Sequence, residues 1–212
     1  MAIERKFLED SIIKLNITKY LEKELSKAGF SRVEIQKTPV LTRITVYVLS
    51  PGRVIGRAGK TIDTLTESIK KRFKVENPQI NVMEVENKML EPLLVAREIA
   101  EKFERGINAR KVIQSMLKQI LDNGAIGAEI IASGKLAAKG ARAKTIIKSV
   151  GYIPKAGDVV NYVREAHATA YPKYGAIGVK VRIVPPGTVF PGMKIKPIEI
   201  PKSILNSSIA SL

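Results

Sequence analysis

The sequence predicts an α+β fold built as two successive units, and three observations lead there. Stretches with apolar residues at helical spacing are interleaved along the chain with short stretches in which apolar and polar residues alternate. The length, 212 residues, suits one large domain or two of roughly 100 residues. The charge balance also changes midway: residues 1–106 carry 20 basic and 15 acidic side chains, whereas residues 107–212 carry 16 and 5. Where it changes, Gly106-Ile107-Asn108 interrupts two helical patterns, which sets the boundary between units 1–106 and 107–186.

Taken in order, residues 3–15 read as a helix, with Phe7, Leu8, Ile12 and Leu15 at helical spacing. Asn16 can cap a second helix that carries Ile17, Leu21, Leu25 and Ala28 on one face and ends at Gly29. Ser31 to Lys37 alternates around Val33 and Ile35, Thr38-Pro39 stops it, and residues 43–48 form a β-branched strand. Ser50-Pro51-Gly52 turns the chain into a short helix and a glycine-containing stretch. Residues 60–73 then read as a helix with Ile62, Leu65, Ile69 and Phe73 inward, and residues 79–86 as a strand. Helices at 91–105 and 109–122 flank the break. Beyond them, strands at 125–134, 142–153, 159–171 and 178–184 make a two-layer α+β domain with a four-stranded sheet. For residues 159–171 the alternation of Val160, Tyr162, Ala166, Ala168 and Ala170 favours strand over helix. From Pro185-Pro186-Gly187 onward periodicity fades, so residues 187–212 are expected to form an extended Pro-containing tail.

Composition narrows the function classes. Cysteine is absent, which rules out disulfides and thiolate metal sites. His167 is the one histidine, and although Asp158 and Glu165 lie near it in sequence, nothing supplies a nucleophile, a base and an orienting group together. No catalytic residue, metal, cofactor or small-molecule substrate is therefore expected. No apolar run reaches the roughly 20 residues of a membrane span, and residues 1–14 lack a signal-type apolar block. A cytoplasmic, unprocessed protein with no membrane partner is expected. The lack of cysteine, the single histidine and the many Lys, Glu and Ile also suit a hot-adapted source. The net charge of +16 costs self-repulsion, which a polyanion relieves through charge pairing and counterion release. Aromatic residues amount to 5% with no Trp, so phosphate and shape readout should outweigh base stacking.

One stretch gives the polyanion a seat: Val54-Ile55-Gly56-Arg57-Ala58-Gly59-Lys60-Thr61-Ile62. A bare G-x-x-G is uninformative, but here apolar residues precede it and an amphipathic helix follows. Two glycines let the backbone approach a sugar-phosphate chain without Cβ interference, and a helix start presents free amides to phosphate. Arg53, Arg57 and Lys60 bring charge to the same place, and with Gly56, Ala58 and Gly59 they make the first candidate RNA-binding set. This is the physical logic of the G-x-x-G loop of K-homology (KH) domains. Gly59-Lys60-Thr61 also matches the end of a nucleotide-binding P-loop, but the first glycine of that motif would fall at Val54. A nucleotide hydrolase is thus the enzyme-class alternative. A second cationic set, Lys135, Lys139, Arg142 and Lys144, spans the loop between the first two C-terminal strands, where Gly134, Gly140 and alanines leave phosphates little obstruction.

The order helix, strand, strand, short helix, G-x-x-G, helix, strand is that of a type II KH domain. Here the sequence resembles a known family, the third protein of the small ribosomal subunit in its archaeal and eukaryotic form. The likeness runs from the first helix to about residue 184. It rests on the G-x-x-G stretch, on residues 124–129 (Gly-Ala-Ile-Gly-Ala-Glu), on Ser133-Gly134-Lys135-Leu136 with Arg142-Ala143-Lys144, on Gly157-Asp158 through Tyr162, and on residues 175–181. The resemblance implies a non-enzymatic constituent of the small-subunit head. It implies ribosomal RNA, neighbouring small-subunit proteins and messenger RNA as partners, the last where it is drawn into the subunit. It also implies a basic cluster on the helix opening the C-terminal domain, linked to unwinding of messenger structure. The matching positions are Arg110, Lys111 and Gln114, and Gln114 stands where bacterial members carry a base. A KH protein acting on messenger or small RNA outside the ribosome is the alternative.

Overall fold

The computed structural model describes residues 2–38, 41–75, 77–136, 142–173 and 175–190. The chain forms an α+β molecule with two sheets, one of three strands and one of four. In the first unit, helix α1 (Ala2–Glu24) leads into strand β1 (Phe30–Lys37), which pairs antiparallel with β2 (Thr42–Val48). The short helix α2 (Pro51–Ile55), a 3-10 turn (Arg57–Gly59) and helix α3 (Lys60–Phe73) then carry the chain across the sheet to β3 (Pro78–Glu84), which lies parallel to β2. A parallel pair demands such a crossover, and the G-x-x-G bend is its middle. The burial of β2 shows the period-2 rule directly: Thr42, Ile44, Val46 and Val48 are inside, and the residues between them are not. Onto these pack Ile17 and Leu21 of α1, Leu25 just beyond it, Phe30, Val54, Leu65 and Ile69, forming the first core.

Helix α4 (Pro92–Glu104) and helix α5 (Ala109–Asp122) cover one face of the second sheet, whose order is β5-β4-β7-β6 and whose pairs are all antiparallel. Its strands are β4 (Gly127–Gly134), β5 (Lys144–Gly151), β6 (Arg164–Ala170) and β7 (Ile177–Val184). Val95, Ala96, Ile99 and Phe103 of α4 share a core with Val112, Ile113, Met116 and Ile120 of α5 and with Ala128, Ile130, Val179 and Val181 of the sheet. The turn at 106–108, where the sequence suggests a boundary, therefore lies between two helices of one core.

Three expectations are corrected. Residues 3–15 and the segment after Asn16 form one 23-residue helix. Asn16 is exposed within it and caps nothing, because the apolar ladder of half-buried Ile13 and buried Ile17 and Leu21 continues through it at spacings of four. Phe7, Leu8, Ile12 and Leu15 face solvent, 53–73% exposed, rather than a core. Second, residues 158–162 are a 3-10 turn, and strand alternation starts only at Arg164. Third, the tail does not begin as a free arm: Phe190 is 2% exposed and lies edge-on to the rings of Tyr152 and Tyr162, at 5.1 and 6.2 Å between centroids. Among the described residues, no helix is long and apolar enough to cross a membrane.

Candidate nucleic-acid interface

The bend between α2 and α3 is dictated by its two glycines. Gly56 sits at φ 72° and ψ −171°, a region that side chains with Cβ essentially do not enter. A Cβ there would lie 2.0 Å from Thr61 Oγ1 and 2.7 Å from Thr61 Cβ. Gly59, at φ 78° and ψ −2°, is the left-handed residue that starts α3, and a Cβ on it would touch nothing closer than 3.9 Å. Gly56 is thus required twice over, by conformation and by space; Gly59 is required by conformation alone. No side chain caps the start of α3, and its first amide, that of Lys60, donates to the carbonyl of Arg57.

The three cations at the bend differ. Arg53 is exposed, but its Nη1 donates to the carbonyl of Lys27 at 2.8 Å, which ties it to the 3-10 turn (Ser26–Ala28) that follows α1. Arg57 and Lys60 are exposed and meet no carboxylate among the described residues. Ala58 belongs to the 3-10 turn between them. Sequence reasoning missed the ground beside the bend. A cleft of about 620 Å³, lined by Ile62, Asp63 and Thr66 of α3, Pro78 to Asn81 of β3 and Arg43 of β2, adjoins the first turn of α3. Pairing of β2 with β3 creates it, and no local pattern could have announced it.

The second set converges by topology. Residues 123–126 join α5 to β4 so tightly that Gly124 and Ala125 donate back to Leu121 and Ile120. Helix α5 must then run antiparallel to β4, and its first turn lies at the end of the sheet where β4 stops and β5 starts. Arg110 and Lys111, at the start of α5, are thereby brought to the same end as Lys135, Arg142 and Lys144. All five are exposed, and none has a carboxylate partner among the described residues. Gln114 is exposed one turn further along α5. The start of α5 is already capped, since Asn108 Oδ1 accepts from the Arg110 amide at 3.0 Å, so an anion there would meet side chains rather than bare helix amides. Lys139 lies outside the described residues.

The open face of the same sheet shows what paired cations look like. Glu129, 2% exposed, accepts from Arg182 at 3.2 Å and lies 3.3 Å from Lys155. Glu165 holds Lys180 at 3.0 Å, Arg182 at 3.1 Å and His167 at 3.6 Å. The hydrogen bond from Lys180 holds the Glu165 carboxyl below its ordinary value; burial opposes this, and Arg182 adds to it. Two carboxylates offset most of the charge of the three cations Lys155, Lys180 and Arg182, so this face has less to offer a polyanion than an unpaired set would. His167 is an exposed strand residue beside one carboxylate, with no nucleophile between them. Among the described residues no group of three His, Cys, Asp or Glu could hold a metal ion.

Comparison with known proteins matches both units. Residues 16–90 match the family described as "KH domain", and residues 99–183 the family described as "Ribosomal protein S3, C-terminal domain". The chain is 42% identical over 192 residues to the "Small ribosomal subunit protein uS3" of Methanothrix thermoacetophila, covering 90% of this chain and 69% of that protein. Against the same-named protein of Methanospirillum hungatei it is 41% identical, covering 90% and 80%. Against that of Methanothermobacter thermautotrophicus it is 42% identical over 190 residues, covering 89% and 73%.

Proposed function

The chain belongs to the family of small ribosomal subunit protein uS3, and from that premise we propose that it sits in the subunit head, binds ribosomal RNA through two separate cationic surfaces and helps form the place where messenger RNA is drawn in. The family makes it a structural, RNA-binding constituent of the small subunit and not an enzyme. The first surface is the bend at Arg53, Gly56, Arg57, Ala58, Gly59 and Lys60, with Arg53 acting as a strut. The second gathers Arg110, Lys111, Lys135, Lys139, Arg142 and Lys144. Arg110 and Lys111 are the residues we assign to messenger RNA, acting through their side chains at a helix start that Asn108 caps. The exposed apolar residues Phe7, Leu8, Ile12 and Leu15 of α1 favour a neighbouring small-subunit protein over RNA as the partner of that face.

The observation that carries this reading is the sorting of cations: Lys180 and Arg182 have carboxylate partners, whereas those residues assigned to RNA that the structure describes meet none among the described residues. An unpaired cation in water gains little by folding and much by displacing counterions from phosphate. The test is the affinity of the intact chain for a small-subunit RNA fragment across a salt series, with co-sedimentation on small subunits. A steep salt slope and retention on the particle are expected. A flat slope would overturn the phosphate reading, and RNA binding without co-sedimentation would make the chain a KH protein working off the ribosome.

A further inference from the structure

The two units meet at an irregularity in β1. Its register with β2 shifts between Phe30 and Arg32, so Ser31 is an extra residue in the ladder and the strand bends there. A bulge re-aims the groups it frees, and here both point to α4. The buried hydroxyl of Ser31 donates to Glu91 Oε2 at 2.7 Å, and the carbonyl of Phe30 accepts from Arg97 Nη1 at 3.2 Å. Each of these two residues also holds a second element. Glu91 Oε1 lies 3.1 Å from Arg164 Nη1 at the start of β6 and 3.5 Å from Arg32 Nη1 on β1. Arg97 Nη2 donates to Glu22 of α1 at 2.9 Å. Glu91 thus receives hydrogen bonds from both units, and Arg97, rooted in the helix of the second core, grips two elements of the first. Glu91 is 15% exposed and Arg97 25%, so solvent screens these charges less than it does surface pairs.

We infer that Glu91 and Arg97 are positioning residues that lock the KH unit and the C-terminal unit in one orientation, so that the G-x-x-G bend and the cationic end of the second sheet engage a single RNA together. Beside these polar contacts Leu93 is the one α4 side chain among the described residues that joins the first core, and units joined without a large apolar interface move against each other by default. Fixing them converts binding by the second surface into an intramolecular event, which raises affinity for an RNA long enough to reach both surfaces and leaves affinity for a short one untouched. The inference rests on the proposal that both surfaces bind RNA, and the test separates the two.

The intact chain is compared with Glu91→Gln, Arg97→Ala and the double variant, using a structured small-subunit RNA fragment and an eight-nucleotide uridine strand as probes. The double variant is expected to lose on the order of tenfold or more in affinity for the fragment and nothing for the octamer, following the gain that linkage supplies. Small-angle scattering should show a wider spread of intramolecular distances. Glu91→Gln keeps an acceptor for Ser31 and so preserves the local fold; it should show a smaller loss of the same selective kind. Unchanged fragment binding by an intact Glu91→Gln chain and by Arg97→Ala overturns the inference, as does equal loss on both probes with an unaltered melt. If Arg57→Ala/Lys60→Ala and Lys135→Ala/Arg142→Ala/Lys144→Ala in the parent chain each leave fragment binding intact, the two-surface proposal itself fails, independently of the lock.

Discussion

The bend between α2 and α3 and the cationic end of the second sheet, both assigned to RNA in the proposed function, are built by opposite means. At the bend the backbone makes the seat: Gly56 holds a conformation forbidden to other residues, Thr61 fills the space a side chain would need, and only Arg57 and Lys60 are free cations. At the sheet end charge would make the seat, since five exposed cations from the start of α5 and from around the β4–β5 connection gather there, with no carboxylate partner among the described residues. The contrast predicts that the bend is sensitive to shape and tolerant of losing a charge, and that the sheet end is the reverse.

The strongest challenge to that contrast is Gly56→Asp. The positive-φ, extended-ψ backbone there costs an L-residue roughly 1–3 kcal/mol, the side chain overlaps Thr61, and a negative charge enters the proposed path of phosphate. RNA affinity should fall by about a hundredfold, equivalent to roughly 2.7 kcal/mol, in a titration at fixed salt. A loss no greater than that of Arg57→Ala would mean that backbone shape does not matter there. Next comes Lys135→Ala/Arg142→Ala/Lys144→Ala, expected to lower the slope of log affinity against log salt by about 3 with the melting temperature unchanged. Arg57→Ala/Lys60→Ala should lower that slope by about 2, again with the fold intact. A fall in melting temperature that tracks the loss of affinity would show that these cations hold the fold instead.

The smallest effect concerns a carboxylate outside both surfaces. Burial raises the pKa of Glu98, but hydrogen bonds from Lys88 and Lys102 outweigh it and hold the carboxyl below its ordinary value. A depressed carboxylate contributes stability that is present above the unfolded value, near 4.3, and disappears as pH falls through the folded one. Glu98→Gln should therefore lower stability near neutral pH and flatten its decline below about pH 4.3, read from denaturant midpoints at several pH values. Parallel curves for both chains would show that the lysines do not act through this charge.

Elements with a local punctuation mark were legible in the sequence at both ends. Helix α3 runs Lys60–Phe73 and α5 Ala109–Asp122, the spans that glycine, cap residue and apolar spacing indicate. The bend was legible for the same reason, since a residue that only glycine can replace signals itself wherever it stands. Hidden were features settled by distant partners. Asn16 has the chemistry of a cap, but the apolar ladder running through it wins. Phe190 is packed only because Tyr152 and Tyr162 arrive from elsewhere. Whether an arginine is free to meet RNA is likewise nonlocal: Arg53 and Arg57 look alike in sequence, yet only Arg53 finds the Lys27 carbonyl. The change in charge balance near residue 106 describes the surface, and says nothing of which core α4 joins.

Strand β5 lies at the margin of its sheet, with one side hydrogen-bonded to β4 and Ile147 and Val150 exposed at 56% and 41%. Such a margin invites a second copy to add itself, and lysines are the usual deterrent. Lys144 and Lys148 stand on that strand, exposed. Like charges on that strand repel an approaching copy. Replacing Lys144 to weaken RNA binding would therefore also be expected to make the free protein stick to itself more readily.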